Sequence, residues 1–222
     1  MSRTLLIKFP SRERPEQFFK ALELYISKLQ EPMETRFMFT FDSDDHALPK
    51  YMDYVNAALG NKKISYEISV DRSTSKVHAI NRDMGTSGDW DFLLLASDDM
   101  LAEEWGYDVR IKDASELTPC AIWLNAGDQP RIATLMAMER PYFDAFGYIY
   151  HPDYLSLWCD NEWTEVAQQN GCLVKIDDVL IRNVSPDWGG KAPRDALYRR
   201  NNRLHDIDHK TYLRRKAAGF PR

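Results

Sequence analysis

The sequence predicts an α/β fold, a mostly parallel sheet flanked by helices that passes into a mixed α+β second half. Three observations carry this. Residues 4–99 alternate short apolar runs with stretches whose apolar residues recur at helical spacing. The run Phe92-Leu93-Leu94-Leu95-Ala96 is apolar without alternation, as a strand buried on both faces must be. The runs end in polar, carboxylate-rich loops. Strand–helix–strand alternation of this kind builds parallel sheets, whose ligands bind beyond the carboxyl ends of the strands.

Residues 4–9 read as the first buried strand, broken by the turn formers Pro10-Ser11-Arg12-Glu13-Arg14-Pro15, the last suited to a helix start. A helix is predicted over 16–29, where Phe18, Leu22, Ile26 and Leu29 share one face. Residues 33–41 form a second strand ending in Asp42-Ser43-Asp44-Asp45, a loop too acidic to be core. Residues 48–59 read as helix, 64–70 as strand, and 76–84 as a further helix after the polar loop 71–75. Residues 92–96 are the central parallel strand, bounded by Gly88-Asp89-Trp90-Asp91 and Ser97-Asp98-Asp99. Later, 121–124 and 132–138 read as strands and 160–170 as a helix stopped by Gly171, while the segment from Lys191 shows no strong periodicity.

Composition excludes several classes. With 222 residues, 44% hydrophobic and 28% charged, the chain is neither disordered, collagenous nor a coiled coil, and is sized for one domain. Its apolar runs fall far short of the roughly 20 residues that cross a bilayer, and the N-terminal run is too short for a signal peptide. A cytoplasmic location is expected. Cys120, Cys159 and Cys172 are odd in number and lack metal-finger spacing, which predicts buried reduced thiols. The net charge of −5 conceals an asymmetry: residues 191–222 hold ten Lys and Arg against three Asp, a balance of +7, leaving −12 on residues 1–190. A basic helix packed on an acidic body is one explanation and a phosphate-binding surface the other.

Residues 75–82, Ser75-Lys76-Val77-His78-Ala79-Ile80-Asn81-Arg82, leading through Gly88 to the strand and Asp98-Asp99, resemble the central segment of family 2 glycosyltransferases of GT-A fold. The order around it is similar too: a first strand ending in a proline loop, a second ending in Asp42, then the strand carrying the family's Asp-x-Asp motif. Asp160-Asn161-Glu162-Trp163 resembles the acidic helix start that supplies that family's catalytic base. The resemblance spans roughly residues 3–185 and implies a GT-A-like, Rossmann-like catalytic domain over 1–190, with residues 191–222 a basic extension on or near the cleft.

The resemblance implies transfer of a monosaccharide from a nucleotide-diphosphate sugar to a hydroxyl acceptor, with inversion and metal assistance. The acceptor would be a glycan or, as in some phage enzymes, a hydroxymethylated DNA base, for which the basic tail and Trp188 argue. Departure of a diphosphate needs positive charge to stabilise it, and hard carboxylate oxygens suit Mg²⁺ or Mn²⁺. Asp98 and Asp99 are the metal candidates. The sequence departs from the family at two points: Ala96 stands where the motif's first carboxylate would be, and Arg182-Asn183-Val184-Ser185-Pro186 lacks a metal-binding His. His151, His205 and His209 are the spatial substitutes.

Asp42 is the candidate for reading the base, with Pro10, Ser11, Arg12, Asn81, Arg82 and Ser97 on the donor and Arg14 near its phosphates. Asp160 is the candidate general base, since an inverting transfer needs one carboxylate to take the acceptor's proton, and Glu162 is its alternative. Trp158, Trp163, Tyr148, Tyr150 and Tyr154 are candidates for a sugar platform or, more commonly for such residues, core. Two other classes compete: a catalytically inactive nucleotide-sugar-binding domain, motivated by the two departures, and a nucleotidyltransferase, against which stands the lack of a glycine-rich phosphate loop near the first strand.

Overall fold

The computed structural model describes residues 3–115, 119–186, 190 and 194–221. Trp188 and Lys191 lie outside the described residues. Among the described residues nine strands and eight α-helices follow in the order β1 (Leu5–Ser11), α1 (Pro15–Ser27), β2 (Thr35–Asp42), α2 (Leu48–Leu59), β3 (Ser65–Asp71), α3 (Lys76–Asn81), β4 (Phe92–Leu95), β5 (Met100–Ala102), α4 (Tyr107–Asp113), β6 (Ala121–Leu124), β7 (Leu135–Glu139), α5 (Arg140–Phe146), α6 (Cys159–Gln169), β8 (Leu173–Ile176), β9 (Ile181–Asn183), α7 (Ala196–Asn202) and α8 (His205–Ala217).

Seven strands form one sheet in the order β3-β2-β1-β4-β7-β6-β8, and β5 pairs with β9 beside it. The β3-β2-β1-β4 ladders are parallel, β7 runs antiparallel to β4 and β6, and β8 is parallel to β6. The carboxyl ends of β1 to β4 therefore open on one edge. Strand alternation divides the core. Leu5, Ile7 and Phe9 of β1 and Phe37, Phe39 and Phe41 of β2 face the layer containing Phe18, Tyr25 and Tyr51, whereas Leu6 and Met38 face Val77, Ile80, Trp123, Tyr154 and Trp163. This two-sided burial is why these strands read as continuous apolar runs. Cys120, Cys159 and Cys172 are free and buried.

The structure corrects several local expectations. β1 runs through Pro10 to Ser11 instead of breaking there. Ala96 N–H donates to the Lys8 carbonyl at 2.8 Å, so alternate residues of β1 turn their backbone groups toward β4. β4 stops at Leu95, and the donor that Pro10 lacks falls where no strand residue needs it. The acidic loop after β2 is not excluded from the interior: Asp42 and Asp45 are buried. Asp45 accepts from the Glu13 and Ala47 N–H groups at 2.7 and 2.8 Å, which satisfies a carboxylate without water. The helix expected over 76–84 ends at Asn81, where Arg82 turns extended and Asp83 adopts φ 70°. The tail is helical in α7 and α8, because its polar faces find partners on the body.

Candidate functional site

A cleft of about 900 Å³ opens at the carboxyl edge of the sheet. β1 delivers Pro10 and Ser11 to it and the loop after it Arg12 and Arg14, β2 delivers Asp42, the turn after β4 delivers Ser97, Asp98 and Asp99, and the first turn of α6 delivers Asp160. The segments after β1, β2 and β4 meet there because parallel strands end on the same side, and the start of α6 joins them.

At the carboxyl end of β2 Asp42 accepts from Arg12 Nη1 at 2.7 Å and from the Ser73 N–H at 3.0 Å. Arg12 also reaches Asp44 at 2.6 Å and Glu13 at 3.2 Å, so its guanidinium is shared among three carboxylates at the cleft mouth. Asp98 is buried beneath the turn after β4 and accepts from Ser11 Oγ at 2.8 Å and Arg14 Nη1 at 3.1 Å. Burial, with the charge of Asp99 beside it, pushes the Asp98 carboxyl up to about 6 despite those two donors. Asp99 accepts from Ser97 Oγ at 2.6 Å, and its carbonyl receives the Val184 N–H at 2.9 Å. The strand end that lacks the family's His thus lies directly beside Asp99 and offers Asn183 and Ser185 to the cleft.

Arg14 also ties the tail to this site. Its Nε and Nη2 donate to Asp195 at 2.7 and 2.9 Å in a bidentate pair, and Asp195 caps α7 by accepting from the Tyr198 N–H at 2.8 Å. Arg200 of α7 reaches Glu13 at 3.0 Å. Helix α7 consequently forms a wall of the cleft through Leu197, Tyr198 and Arg200.

Asp160 also lines the cleft, half-buried. Burial raises its carboxyl above the ordinary range, opposed by the ammonium of Lys76 at the start of α3. Glu162, two residues on, does not line this cleft. It accepts two hydrogen bonds from Arg215 at 2.8 Å each and one from the Tyr154 hydroxyl at 2.8 Å, all in the core.

The fold therefore gathers Pro10, Ser11, Arg12, Asp42, Ser97, Asp98, Asp99 and Asp160 around one space. Asn81 and Arg82 lie off it. Asn81 accepts from the Ile149 and Tyr150 N–H groups and donates to the Tyr150 carbonyl, stapling α3 to that segment. Arg82 donates to the Phe41 carbonyl at 2.5 Å from beneath β2. Of the aromatic residues considered for a sugar platform only Tyr150 reaches the cleft; Tyr154 and Trp163 are core, and Trp158 stacks on His209 with ring centroids 4.2 Å apart. His151, His205 and His209 do not line the cleft. The sequence reading passed over Asp195 and the wall formed by α7, although Asp195 followed by Ala-Leu-Tyr-Arg-Arg carries an N-cap signature. Among the described residues no three His, Cys, Asp or Glu side chains form a metal-ligating group, and no helix is long and apolar enough to cross a membrane.

No family profile and no curated protein matches the chain. Solved structures do. The mannosyltransferase PcManGT of Pyrobaculum calidifontis, in complex with GDP-Man and Mn²⁺, superposes with a TM-score of 0.73 at 13% identity, covering 97% of this chain and 65% of that one. S. aureus TarS 1-349 in complex with UDP-GlcNAc gives 0.61 at 13% identity, covering 88% and 60%. A Bacillus anthracis protein described as a glucose-1-phosphate thymidylyltransferase gives 0.52 at 10% identity, covering 78% and 86%. The chain thus spans less than two thirds of the length of the first two. At such identities the likeness is one of architecture, and the chain has a GT-A-like fold.

Proposed function

We propose that the chain transfers a monosaccharide from a nucleotide-diphosphate sugar to a hydroxyl acceptor with inversion at the anomeric carbon. The observation that carries this is the meeting of Asp42, the Asp98–Asp99 pair and Asp160 in one cleft at the carboxyl edge of a GT-A sheet. Pro10, Ser11, Arg12 and Asp42 bound the end that takes the nucleotide, with Asp42 free to accept from the base once Arg12 turns to the phosphates. Asp160, in the same cleft, takes the acceptor's proton as its oxygen attacks, and its raised affinity for a proton suits it to that step.

Asp98 and Asp99 fit a hard divalent ion in one specific respect. Such ions are held by one or two carboxylates, with substrate phosphates and water completing the shell, and burial of Asp98 beside the charge of Asp99 disfavours its ionised form, which a bound cation would favour. These residues would hold Mn²⁺ or Mg²⁺, which supplies charge to the departing diphosphate. Arg14, already on Asp98, supplies a fixed cation at the same end. The neighbour with GDP-Man and Mn²⁺ supports this reading. The acceptor is a glycan or a hydroxymethylated DNA base.

A second reading, a nucleotide-sugar-binding domain without catalysis, is favoured by Ala96 at the position of the motif's first carboxylate. One experiment separates them: incubation with UDP-, GDP- and dTDP-sugars and Mn²⁺, measuring released nucleoside diphosphate with and without glycan and hydroxymethylated DNA. Acceptor-dependent release supports transfer. Binding without release in every combination overturns it.

A further inference from the structure

The C-terminal helix carries a carboxylate that the chemistry above does not use. Asp208 of α8 is completely buried and makes no ion pair among the described residues. A lone buried carboxylate is costly unless hydrogen bonds replace its lost hydration. It has three: the successive backbone N–H groups of Leu155, Ser156 and Leu157 donate to it at 2.9, 2.8 and 2.8 Å. Three consecutive donors converge on one side chain only if the backbone between them is tightly turned, so the carboxylate and the turn specify each other.

That turn leads straight into the base. The next residue, Trp158, is held at φ 63°, a conformation a bulky side chain rarely adopts, and its indole lies flat on His209, the neighbour of Asp208. Helix α6 starts immediately afterwards, with Asp160 in its first turn. Leu155, Ser156, Leu157 and Asp160 all line the cleft. Further along, α6 and α8 are locked by the Glu162–Arg215 pair and by the Tyr212 hydroxyl on Glu165 at 2.7 Å.

We propose that Asp208 is a positioning residue for Asp160: the C-terminal helix sets the acceptor-side wall, and through it where the base stands. This rests on Asp160 being the base. It assigns the tail a role in the reaction that its positive charge does not explain.

Asp208→Asn keeps the shape but offers one acceptor oxygen where three N–H groups need two, and turns an amide donor toward them. The expected result is a kcat reduced roughly 10- to 100-fold, the scale of a misplaced catalytic group, with the donor KM and the affinity for UDP or GDP with Mn²⁺ unchanged. Combined with Asp160→Asn it should add nothing, since both changes act through one carboxylate. His209→Ala, which removes only the stacking under Trp158, should lower kcat in the same selective way, and Lys210→Ala, exposed on the same helix, should not. A wild-type kcat in Asp208→Asn, an equal loss of donor affinity, or a full multiplicative effect on top of Asp160→Asn overturns the inference. If Asp208→Asn does not fold, His209→Ala decides it by the same readouts. Absence of turnover in the wild-type protein would instead overturn the glycosyltransferase reading, and the inference with it.

Discussion

The Glu162–Arg215 pair offers a direct test of which carboxylate near α6 is structural. Both side chains are 6% exposed, and the guanidinium makes two 2.8 Å hydrogen bonds to the carboxylate while also donating to the Pro221 carbonyl at 2.7 Å. Arg215→Met preserves the apolar stem and removes the charge. Glu162 is then left in the core with the Tyr154 hydroxyl as its remaining donor. Breaking a buried pair on one side costs about 3–5 kcal/mol, because the surviving ion keeps its desolvation penalty and loses its partner. In a chain of this size each kcal/mol moves Tm by about 2–4 °C, so the variant should melt about 6–20 °C below the wild type. Glu162→Gln/Arg215→Met should recover part of the loss, since no uncompensated charge remains. Urea and thermal unfolding of the wild type and the two variants at pH 7, with unchanged m-values, measure it. An Arg215→Met protein within about 1 kcal/mol of the wild type would mean that water reaches Glu162, which would return it to candidacy as the base.

Asp160→Asn should bind donor almost normally and lose kcat by roughly 10²- to 10⁴-fold; a folded variant with near-normal turnover removes Asp160 from the mechanism. In the wild type, burial raises this carboxyl's affinity for a proton and the base must be ionised, so kcat should fall with decreasing pH at values above the ordinary carboxylate range. Asp98→Asn and Asp99→Asn should each weaken Mn²⁺-dependent binding of UDP or GDP in calorimetry, and unchanged metal dependence in both would discard them as ligands. Lys8, fully buried with its ammonium on Thr40 Oγ1 and the Arg82 carbonyl, has its pKa lowered from 10.5 to about 8 by burial. The unfolded chain therefore holds a proton that the folded one releases between about 8 and 10.5, and wild-type stability should gain over that interval relative to Lys8→Met. Parallel stability curves of the two proteins across it would refute the assignment.

How much of this was legible beforehand depends on the range of the interactions involved. Helix α2 and strand β6 fall where the pattern puts them, and α1 and α6 within one or two residues, because apolar period and flanking Pro or Gly are written in consecutive residues. The gathering of Asp42, Asp98 and Asp99 was foreseeable from the strand–helix alternation, since parallel strands put their carboxyl ends on one edge, whereas Asp160, in the first turn of α6, was reached only through the family resemblance. Other features were not. Pro10 looks like a breaker until one knows that β4 ends before it, and Asp45 looks like solvent-exposed charge until the Glu13 and Ala47 amides close on it.

The amino-acid sequence by itself determined the α/β class, the central apolar strand and the carboxylates that end it, because these depend on neighbours in the chain. Tertiary structure alone decided which carboxylates are committed: Glu162 to Arg215, Asp195 to Arg14, and Asp208 to the turn before Trp158. Each joins residues 51 to 181 positions apart in the chain, the shortest being the separation of Asp208 from Leu157. The free energy of a carboxylate is set by the donors and the dielectric around it, and neither is written at its own position in the chain.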